Sequence, residues 1–199
     1  MGLAKLKPYY YTTEQYLKIE READERSEFL DGEIYGMAGE SGKHGDISMN
    51  LAALLGTQLR GTSCRGRTKD TKVRSGSVKE QFGREMISYP DLVIICGEPE
   101  YHDKHQDIIL NPSVIIEVLS ESTAKFDRGT KFMRYRSFNP TLTDYILVSQ
   151  EEAHVEHYTR QANGDWILRE YYGADKTFQI DSVACSLTLA DVYARVEFE

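Results

Sequence analysis

The chain has 199 residues, of which 40% are hydrophobic and 28% are charged, and these proportions are typical of a globular protein of about one domain. They exclude a disordered, a collagenous and a coiled-coil chain. Acidic residues outnumber basic ones by 32 to 24, so the net charge of −8 excludes a protein that coats nucleic acid through its overall charge, although a local basic patch can still bind it.

A short helix and a hairpin are predicted first. Thr12 can cap a helix whose apolar residues follow at helical spacing and which ends before Ser27. The pair Asp31-Gly32 stands between two short apolar runs and favours a hairpin, because both central turn residues need a positive φ. Glu28 therefore opens the first strand of this hairpin.

Helices and strands then alternate through the middle of the chain. Leucine and isoleucine recur at helical spacing from Asp46 to near Gly61, which predicts an amphipathic helix. Runs rich in β-branched residues predict strands around 72–74 and 77–78 and over 90–96, 113–120 and 144–148. Residues 124–138 are predicted to be helical, with Ser122 or Thr123 as the cap.

The C-terminal part is predicted to form a second hairpin and a closing helix. Asn163-Gly164 separates apolar runs at 153–158 and 166–172, and residues 187–196 have a helical pattern. The whole order predicts an α/β fold, with a mixed sheet between helices and antiparallel hairpins added at both ends.

Cysteine usage and hydropathy indicate where such a protein works. Cys64, Cys96 and Cys185 are an odd number and are far apart without C-x-x-C spacing, so we expect reduced thiols rather than a disulfide framework or a zinc site. No apolar run approaches the roughly 18 residues that span a bilayer, and residues 1–10 lack the apolar stretch of a secretory signal. We expect a cytoplasmic protein with no membrane partner.

Glu117 is the most informative residue, because it stands in the middle of the apolar run 114–119. An isolated buried carboxylate costs several kcal/mol, so it must be protonated, paired with a cation or bound to a metal. The alternative is an edge strand on which Glu117 points to water. The apolar neighbours on its own face, Ile115 and Leu119, argue against that alternative.

Asp91 is the natural partner of Glu117. It follows Pro90 at the start of another apolar strand, so the two carboxylates can emerge on one side of neighbouring strands. Mg²⁺ is held in this way, by one or two carboxylates together with waters and phosphate oxygens. The alternative is a plain strand-start or turn residue, since aspartate beside proline is common there.

Lys131 can complete this group from the helix that follows the Glu117 strand. It lies one turn from Asp127 and Tyr135 on a partly apolar helix face. A lysine there could orient or deprotonate a water, or neutralise charge on phosphoryl oxygens. The alternative is an i, i+4 ion pair with Asp127, worth about 0.3–0.5 kcal/mol on a solvated helix.

At these residues the sequence resembles the PD-(D/E)XK nuclease superfamily, and within it a bacterial restriction-endonuclease-like family long described as a domain of unknown function. The resemblance covers nearly the whole chain. The matching stretches are Glu28 to Glu33, His44, Pro90-Asp91, Glu117 to Ser120, and Asp127 to Lys131 with Tyr135. It implies a restriction-endonuclease-like α/β fold with one domain over 1–199: an extension over 1–40, a nuclease core over 41–150, and a hairpin and tail over 151–199.

The resemblance also implies a metal-dependent phosphodiesterase acting on DNA, with Asp91 and Glu117 as ligands of Mg²⁺, or of Mn²⁺, and Glu28 as a further acid near the metal. The superfamily lysine normally lies two residues after the acid, where this sequence has Leu119. The resemblance therefore implies Lys131 as its substitute from the following helix. For Glu28 the alternative is a solvated hairpin residue across from a tyrosine.

A run of basic residues between positions 60 and 79 could bind the phosphates of DNA, since duplex binding rests on such contacts. The alternative is a solvated basic surface. The predicted contacts are Arg60, Arg65, Arg67, Lys69, Lys72 and Arg74.

Other site signals are weak. His102 and His105 have a spacing that zinc sites use, but their surroundings indicate a polar loop. His44 could cap a helix or lie near the site, and His154 and His157 indicate strand positions. Serine-hydrolase and P-loop motifs are missing from the sequence, which excludes those two readings.

Three functional hypotheses follow from the sequence. The first is a Mg²⁺-dependent DNA endonuclease, which we expect to be a homodimer because nucleases that cut both strands are often paired by symmetry. The second is a catalytically inactive DNA-binding module with the same fold, which the missing motif lysine at Leu119 favours. The third is an unrelated structural protein.

Overall fold

The computed structural model describes residues 10–37, 39–76 and 84–198. The helices in these ranges are α1 Thr13–Glu22, α2 Gly42–Gln58, α3 Ala124–Phe126, α4 Phe132–Phe138 and α5 Leu189–Val192. A π-helical turn, Asp127–Lys131, joins α3 to α4, and a 3₁₀ turn spans Asp181–Val183. The strands are β1 Ser27–Leu30, β2 Glu33–Gly36, β3 Cys64–Thr68, β4 Lys72–Gly76, β5 Glu85–Ser88, β6 Leu92–Cys96, β7 Ile108–Ile109, β8 Val114–Leu119, β9 Asp144–Ser149, β10 His154–Arg160, β11 Trp166–Tyr172, β12 Thr177–Ile180 and β13 Cys185–Thr188.

The strands form two larger sheets and one separate hairpin. The six-stranded sheet has the order β11-β10-β9-β8-β6-β3, with β8 and β9 parallel and the other neighbours antiparallel. The five-stranded sheet has the order β2-β1-β5-β4-β7, with β4 and β7 parallel, and β12 pairs with β13. The mixed sheets flanked by helices confirm the predicted α/β fold class, although the described strands make two sheets where the sequence predicted one.

Strand β8 separates two hydrophobic clusters. On one face Ile116 and Val118 pack in a cluster that includes residues of α2, α5 and the β12–β13 hairpin. On the other face Ile115 and Leu119 pack in a cluster that includes Tyr135 of α4. Because side chains alternate along a strand, Glu117 lies on the second face.

The predicted N-terminal elements are confirmed. The Thr12 hydroxyl accepts a hydrogen bond from the Gln15 amide and forms a capping box at the start of α1. Asp31 and Gly32 have φ values of 51° and 94°, as the hairpin turn between β1 and β2 requires. Helix α2, however, begins four residues before the predicted start, because Ser41 caps it ahead of the apolar repeat.

Among the later elements, the helix over 124–138 is present with its π-helical turn, and Thr123 occupies the predicted cap position, although its side chain makes no capping hydrogen bond and its amide donates to Ser120 Oγ. The prediction for the tail is wrong. In the tail, Cys185–Thr188 is strand β13, and the helix covers only Leu189–Val192, because pairing with β12 takes up the preceding residues. The predicted strand around 77–78 lies outside the described residues; the other predicted strands are confirmed to within a few residues.

The expectation of three reduced thiols is also wrong. Cys64 on β3 lies directly opposite Cys96 on β6, and the two sulfurs form a disulfide. Cys185 is a free, buried thiol. A separation of 32 residues gives no hint of this pair, because only the strand register brings the two cysteines together.

Across residues 10–37, 39–76 and 84–198, the structure contains no helix with the length and apolar character needed to cross a membrane.

An ion-pair network around Asp107 joins α1, β4 and the segment before β7. Arg21 and Lys72 both donate to the Asp107 carboxylate, at distances of 2.8–3.1 Å. Burial raises the pKa of Asp107, but these hydrogen bonds and charges outweigh burial and lower the pKa from 3.8 to about 2. The carboxylate is therefore more stable in the folded chain than in the unfolded one.

We expect Asp107→Asn to lower the free energy of unfolding at pH 7 by about 2 kcal/mol, the equivalent of the pKa shift. Since the folded pKa is depressed, this contribution is present above pH 4 and is lost as the pH falls through about 2. Urea denaturation between pH 7 and pH 2.5 measures it, with Asp24→Asn, at an exposed position, as the control. A constant difference between wild type and Asp107→Asn over this range would contradict the assignment.

Candidate active site

The pairing of β6 with β8 brings Asp91 next to Glu117. Leu92 pairs with Ile116, so Asp91 stands across from Glu117, one position beyond the last paired residue. The Val118 amide donates to Asp91 Oδ2 at 2.7 Å, so the side chain takes the place of a backbone acceptor. Strand β8 lies between β6 and β9, which rules out the edge-strand alternative for Glu117.

Glu117 is 3% exposed and is held by two polar groups. Its Oε1 lies 3.2 Å from Lys131 Nζ and accepts a hydrogen bond from the Tyr135 hydroxyl at 3.3 Å. The Tyr135 hydroxyl also hydrogen-bonds Ser88 Oγ at 2.9 Å. The acid therefore has both partners that a buried carboxylate needs, a cation and a hydrogen-bond donor.

Lys131 lies at the centre of three carboxylates. Its Nζ is 3.3 Å from Glu28 Oε1, 3.2 Å from Glu117 Oε1 and 3.3 Å from Asp127 Oδ1, and its side chain is 7% exposed. The π-helical turn holds both Asp127 and Lys131 buried. The ion pair between Lys131 and Asp127, which was the alternative role for this lysine, is therefore present as well. It is one of three contacts in a buried site and does not lie on a solvated helix.

Glu28 joins this group from the other sheet. It pairs across the hairpin with Tyr35, yet its carboxylate accepts a hydrogen bond from the Tyr89 amide at 3.0 Å and is 17% exposed. The solvated-hairpin alternative therefore does not describe it. We call Glu28, Asp91, Glu117, Asp127 and Lys131 together the acid cluster.

The acid cluster has more negative than positive charge. Burial raises the pKa of Glu117 well above its ordinary value, the Lys131 cation opposes this, and Asp127, Asp91 and Glu28 raise it further. Burial lowers the pKa of Lys131, but Glu117, Glu28 and Asp127 outweigh burial, so its pKa lies well above the ordinary value. The site therefore contains a cation and an excess of carboxylates, which a proton or a further cation must balance.

The acid cluster fits a divalent cation of the Mg²⁺ type. Asp127 Oδ1 is buried without a hydrogen-bond partner, although it lies near the Lys131 ammonium. No three carboxylate, imidazole or thiol groups in the described part of the chain converge closely enough to hold a metal by themselves. Mg²⁺ does not need such a cage, because one or two carboxylates plus waters and substrate phosphate oxygens complete its shell.

Two further residues lie at the site. His44, which was predicted to cap a helix or to lie near the site, does lie there, with Nε2 2.7 Å from Asp91 Oδ1. Burial lowers the pKa of His44, and the hydrogen bond and charge of Asp91 outweigh burial and raise it. Asp127 was considered only as an ion-pair partner. The spacing of Asp127, Lys131 and Tyr135 on one helix face is the signal that could have identified it.

The six basic residues predicted to contact DNA do not form one surface. Lys72 and Arg74 are buried and pair with Asp107 and Glu85, so contact with phosphate would require these ion pairs to open. The remaining four are at least partly accessible: Arg60 has an exposed side chain, Arg65 lies 4.0 Å from Glu98, Arg67 contacts Tyr101, and Lys69 lies 2.6 Å from Glu40.

Two surface clefts, of about 450 and 560 Å³, are lined by no residue of the acid cluster. The first is lined by residues that include Asp31 and Tyr35, and the second by residues that include Asp144 and His157. The candidate site is therefore identified by its charges and hydrogen bonds, not by the volume of a cavity.

His102, predicted as a loop residue, contacts Arg74 through Nδ1.

Comparison with known families gives a match over residues 13–191 to Uma2, whose description is "Putative restriction endonuclease". The chain belongs to the Uma2 family. This confirms the resemblance to PD-(D/E)XK-like nucleases that the motifs indicated.

The chain is also similar to two curated proteins and to one solved structure. Two uncharacterized proteins of Synechocystis sp. (strain ATCC 27184 / PCC 6803 / Kazusa) match: sll1609 is 36% identical, over 81% of this chain and 88% of that protein, and slr1290 is 32% identical, over 93% and 92%. The crystal structure of "a putative nuclease belonging to DUF820" from Anabaena variabilis ATCC 29413 superposes with a TM-score of 0.74. It is 16% identical and covers 94% of this chain and 99% of that one, which shows a common fold.

We expect Lys131→Met to lower the free energy of unfolding by about 3–5 kcal/mol in the presence of a chelator, because it leaves buried carboxylates without their cation. Urea denaturation at pH 7 measures the change. Lys125→Met is the matched control: it removes an exposed lysine six residues earlier, and its effect stays within about 0.5 kcal/mol. Equal effects of the two substitutions would contradict the central position of Lys131.

Proposed function

We propose that this protein is a Mg²⁺-dependent endonuclease that hydrolyses phosphodiester bonds of DNA. Asp91 and Glu117 hold the metal, Glu28 is a further acid beside it, and Lys131 assists the reaction. The observation that carries the proposal is the excess of buried carboxylates around a single ammonium group. Such an excess is costly unless a proton or a second cation balances it.

When bound, Mg²⁺ or Mn²⁺ would polarise the phosphate and favour ionisation of the attacking water. Residues of the chain fix the orientation of the two carboxylates that would bind the metal. Tyr135 and Lys131 fix one oxygen of Glu117, and the Val118 amide fixes one oxygen of Asp91. Hydrolysis then forms a bond between the water oxygen and the phosphorus and breaks one P–O bond. A proton of that water passes to solvent, and the leaving alkoxide takes a proton from solvent.

Lys131 acts in this proposal as a cation and not as the base. Its pKa is raised by three carboxylates, so its ammonium group stays protonated at neutral pH. A fixed positive charge stabilises the negative charge that develops on phosphoryl oxygens. Of the three roles that the sequence left open for Lys131, charge neutralisation therefore agrees best with its surroundings.

The substrate would approach from the more open side of the acid cluster. Asp91 and Glu28 are 14% and 17% exposed, whereas the Glu117 and Lys131 side chains are nearly closed off. Strand β3 carries Arg65 and Arg67 and pairs with β6, and Thr68 at its end lies across from Leu92, next to Asp91. Lys69 follows directly, so the accessible basic residues lead toward the acids, and phosphates of DNA could dock along them.

We place this activity in the cytoplasm, where its DNA substrate would be present. The Cys64–Cys96 disulfide of the structure is unusual for that compartment, where thiols are normally kept reduced.

We expect the purified protein to nick or cut plasmid DNA with Mg²⁺ or Mn²⁺ and not with a chelator. Asp91→Asn and Glu117→Gln, which keep size but remove a metal ligand, should each lower the rate by at least about 100-fold, since even residues behind the ligands cost 10–100-fold. Glu121→Gln, at an exposed position after β8, is the matched control and should cut normally. Cleavage that survives both site substitutions refutes the assignment.

The second candidate function is an inactive DNA-binding module with the same fold. Leu119 in place of the motif lysine favours it. Such a module would bind DNA in a salt-dependent manner that a chelator does not change, and it would not cut DNA whichever divalent ion is supplied. A chain that neither binds nor cuts DNA would support the third hypothesis, a structural protein.

A homodimer is the assembly that we propose. Strand β11 is an end strand of the six-stranded sheet, and Ile167 and Leu168 on it are more than two-fifths exposed. An open strand edge of this kind can pair with a second copy. Light scattering should give about twice the chain mass of 22.8 kDa, Ile167→Lys should lower it, and Met133→Lys, at another exposed position, should not. A monomeric wild type would exclude the dimer.

A further inference from the structure

His44 reaches the acid cluster from the first turn of α2. The Ser41 hydroxyl accepts a hydrogen bond from the His44 amide at 3.1 Å and so caps the helix at this point. The His44 ring then lies with Nε2 2.7 Å from Asp91 Oδ1. Both side chains are mostly buried, 15% and 14% exposed, so water competes little for this contact.

The two oxygens of Asp91 are held from two different elements. Oδ1 contacts His44 on α2, and Oδ2 accepts from the Val118 amide on β8. The amide is fixed by the strand, whereas the histidine is a side chain that a substitution can remove without touching the backbone. A carboxylate oxygen has about two acceptor positions, so each oxygen of Asp91 keeps one for a further ligand.

The carboxylates close to Asp91 carry like charge and repel it. The negative charges of Asp91 and Glu117 repel each other, and the charges of Asp127 and Glu28 also repel that of Glu117. The only lysine contacts in the cluster go to Glu28, Glu117 and Asp127, and none of the described ion pairs joins Asp91 to Lys131. Among the described ion pairs, the one that Asp91 makes is with His44.

We propose that His44 is a positioning residue that fixes the orientation of the Asp91 carboxylate for the metal. The proposal rests on the proposed function in one respect, the role of Asp91 as a ligand. Nε2–H can donate in the neutral ring as well as in the charged ring, so the role does not require a charge on His44. Groups that hydrogen-bond a metal ligand from behind typically contribute 10–100-fold to metal affinity or activity.

The test compares wild type with His44→Ala, which removes the donor, and His44→Gln, whose amide nitrogen can replace Nε2. His105→Ala, an exposed histidine in the 102–107 loop, is the matched control. The first measurement is amide hydrogen exchange of Val118 by NMR without metal, since this amide is bonded to Asp91. The second is Mn²⁺ affinity by isothermal titration calorimetry, which does not depend on cleavage.

We expect Val118 to exchange severalfold faster in His44→Ala while the amides of β9 and β10 keep their rates, and Mn²⁺ affinity to fall about 10–100-fold. His44→Gln should recover most of both values, and His105→Ala should match wild type. Unchanged Val118 exchange and unchanged Mn²⁺ affinity in His44→Ala would overturn the inference. So would a general increase in exchange over all strands that His44→Gln does not repair, because that indicates a purely structural role.

These results separate the inference from the proposed function. A wild type that neither binds Mn²⁺ nor cuts DNA would overturn the proposed function, and with it the link of His44 to a metal. The exchange rates of Val118 would then still decide whether His44 orients Asp91.

Discussion

The contact on which the rest of the site depends is the Lys131 ammonium among the carboxylates of Glu28, Glu117 and Asp127. Each acid comes from a different element: the hairpin strand β1, the interior strand β8 and the π-helical turn. In a buried environment these like charges repel strongly, and a single cation offsets only part of the repulsion. The excess of negative charge over the single ammonium group lowers the stability of the folded chain, and a divalent cation would offset that excess. The stability of the fold and the proposed chemistry therefore depend on the same group of charges.

The site is formed where the two sheets meet the helical segments. Glu28 belongs to the five-stranded sheet and Glu117 to the six-stranded one, Asp91 directly precedes β6 of that second sheet, and His44 enters from α2. Tyr89 lies two residues before Asp91, and its amide donates a hydrogen bond to the Glu28 carboxylate. This hydrogen bond connects the two sheets next to the acids. Side chains supplied by four separate elements hold their geometry only while those elements stay packed, which agrees with the requirement for fixed ligands in a metal-assisted site.

The sequence allowed some residues of the candidate site to be predicted and not others. Glu117 was recognised because a charge in an apolar run is costly, and that cost is a local property of the sequence. Lys131 followed from helical spacing, while Glu28 rested on the resemblance. His44 was predicted only to cap a helix or to lie near the site, and Asp127 only to pair with Lys131, because their partners depend on how the helices pack. The local count of basic residues included Lys72 and Arg74, which the fold buries in ion pairs with acids from distant segments.

Local sequence patterns were enough to predict the α/β class, most strands and helices, the hairpin turns and the acids that stand out from their apolar neighbours, because periodicity, turn chemistry and the cost of a buried charge act over a few residues. The division into two sheets, the Cys64–Cys96 disulfide and the pairing of His44 with Asp91 became visible only in the folded chain. These depend on strand register and on contacts between residues 32 and 47 positions apart, which no local pattern encodes.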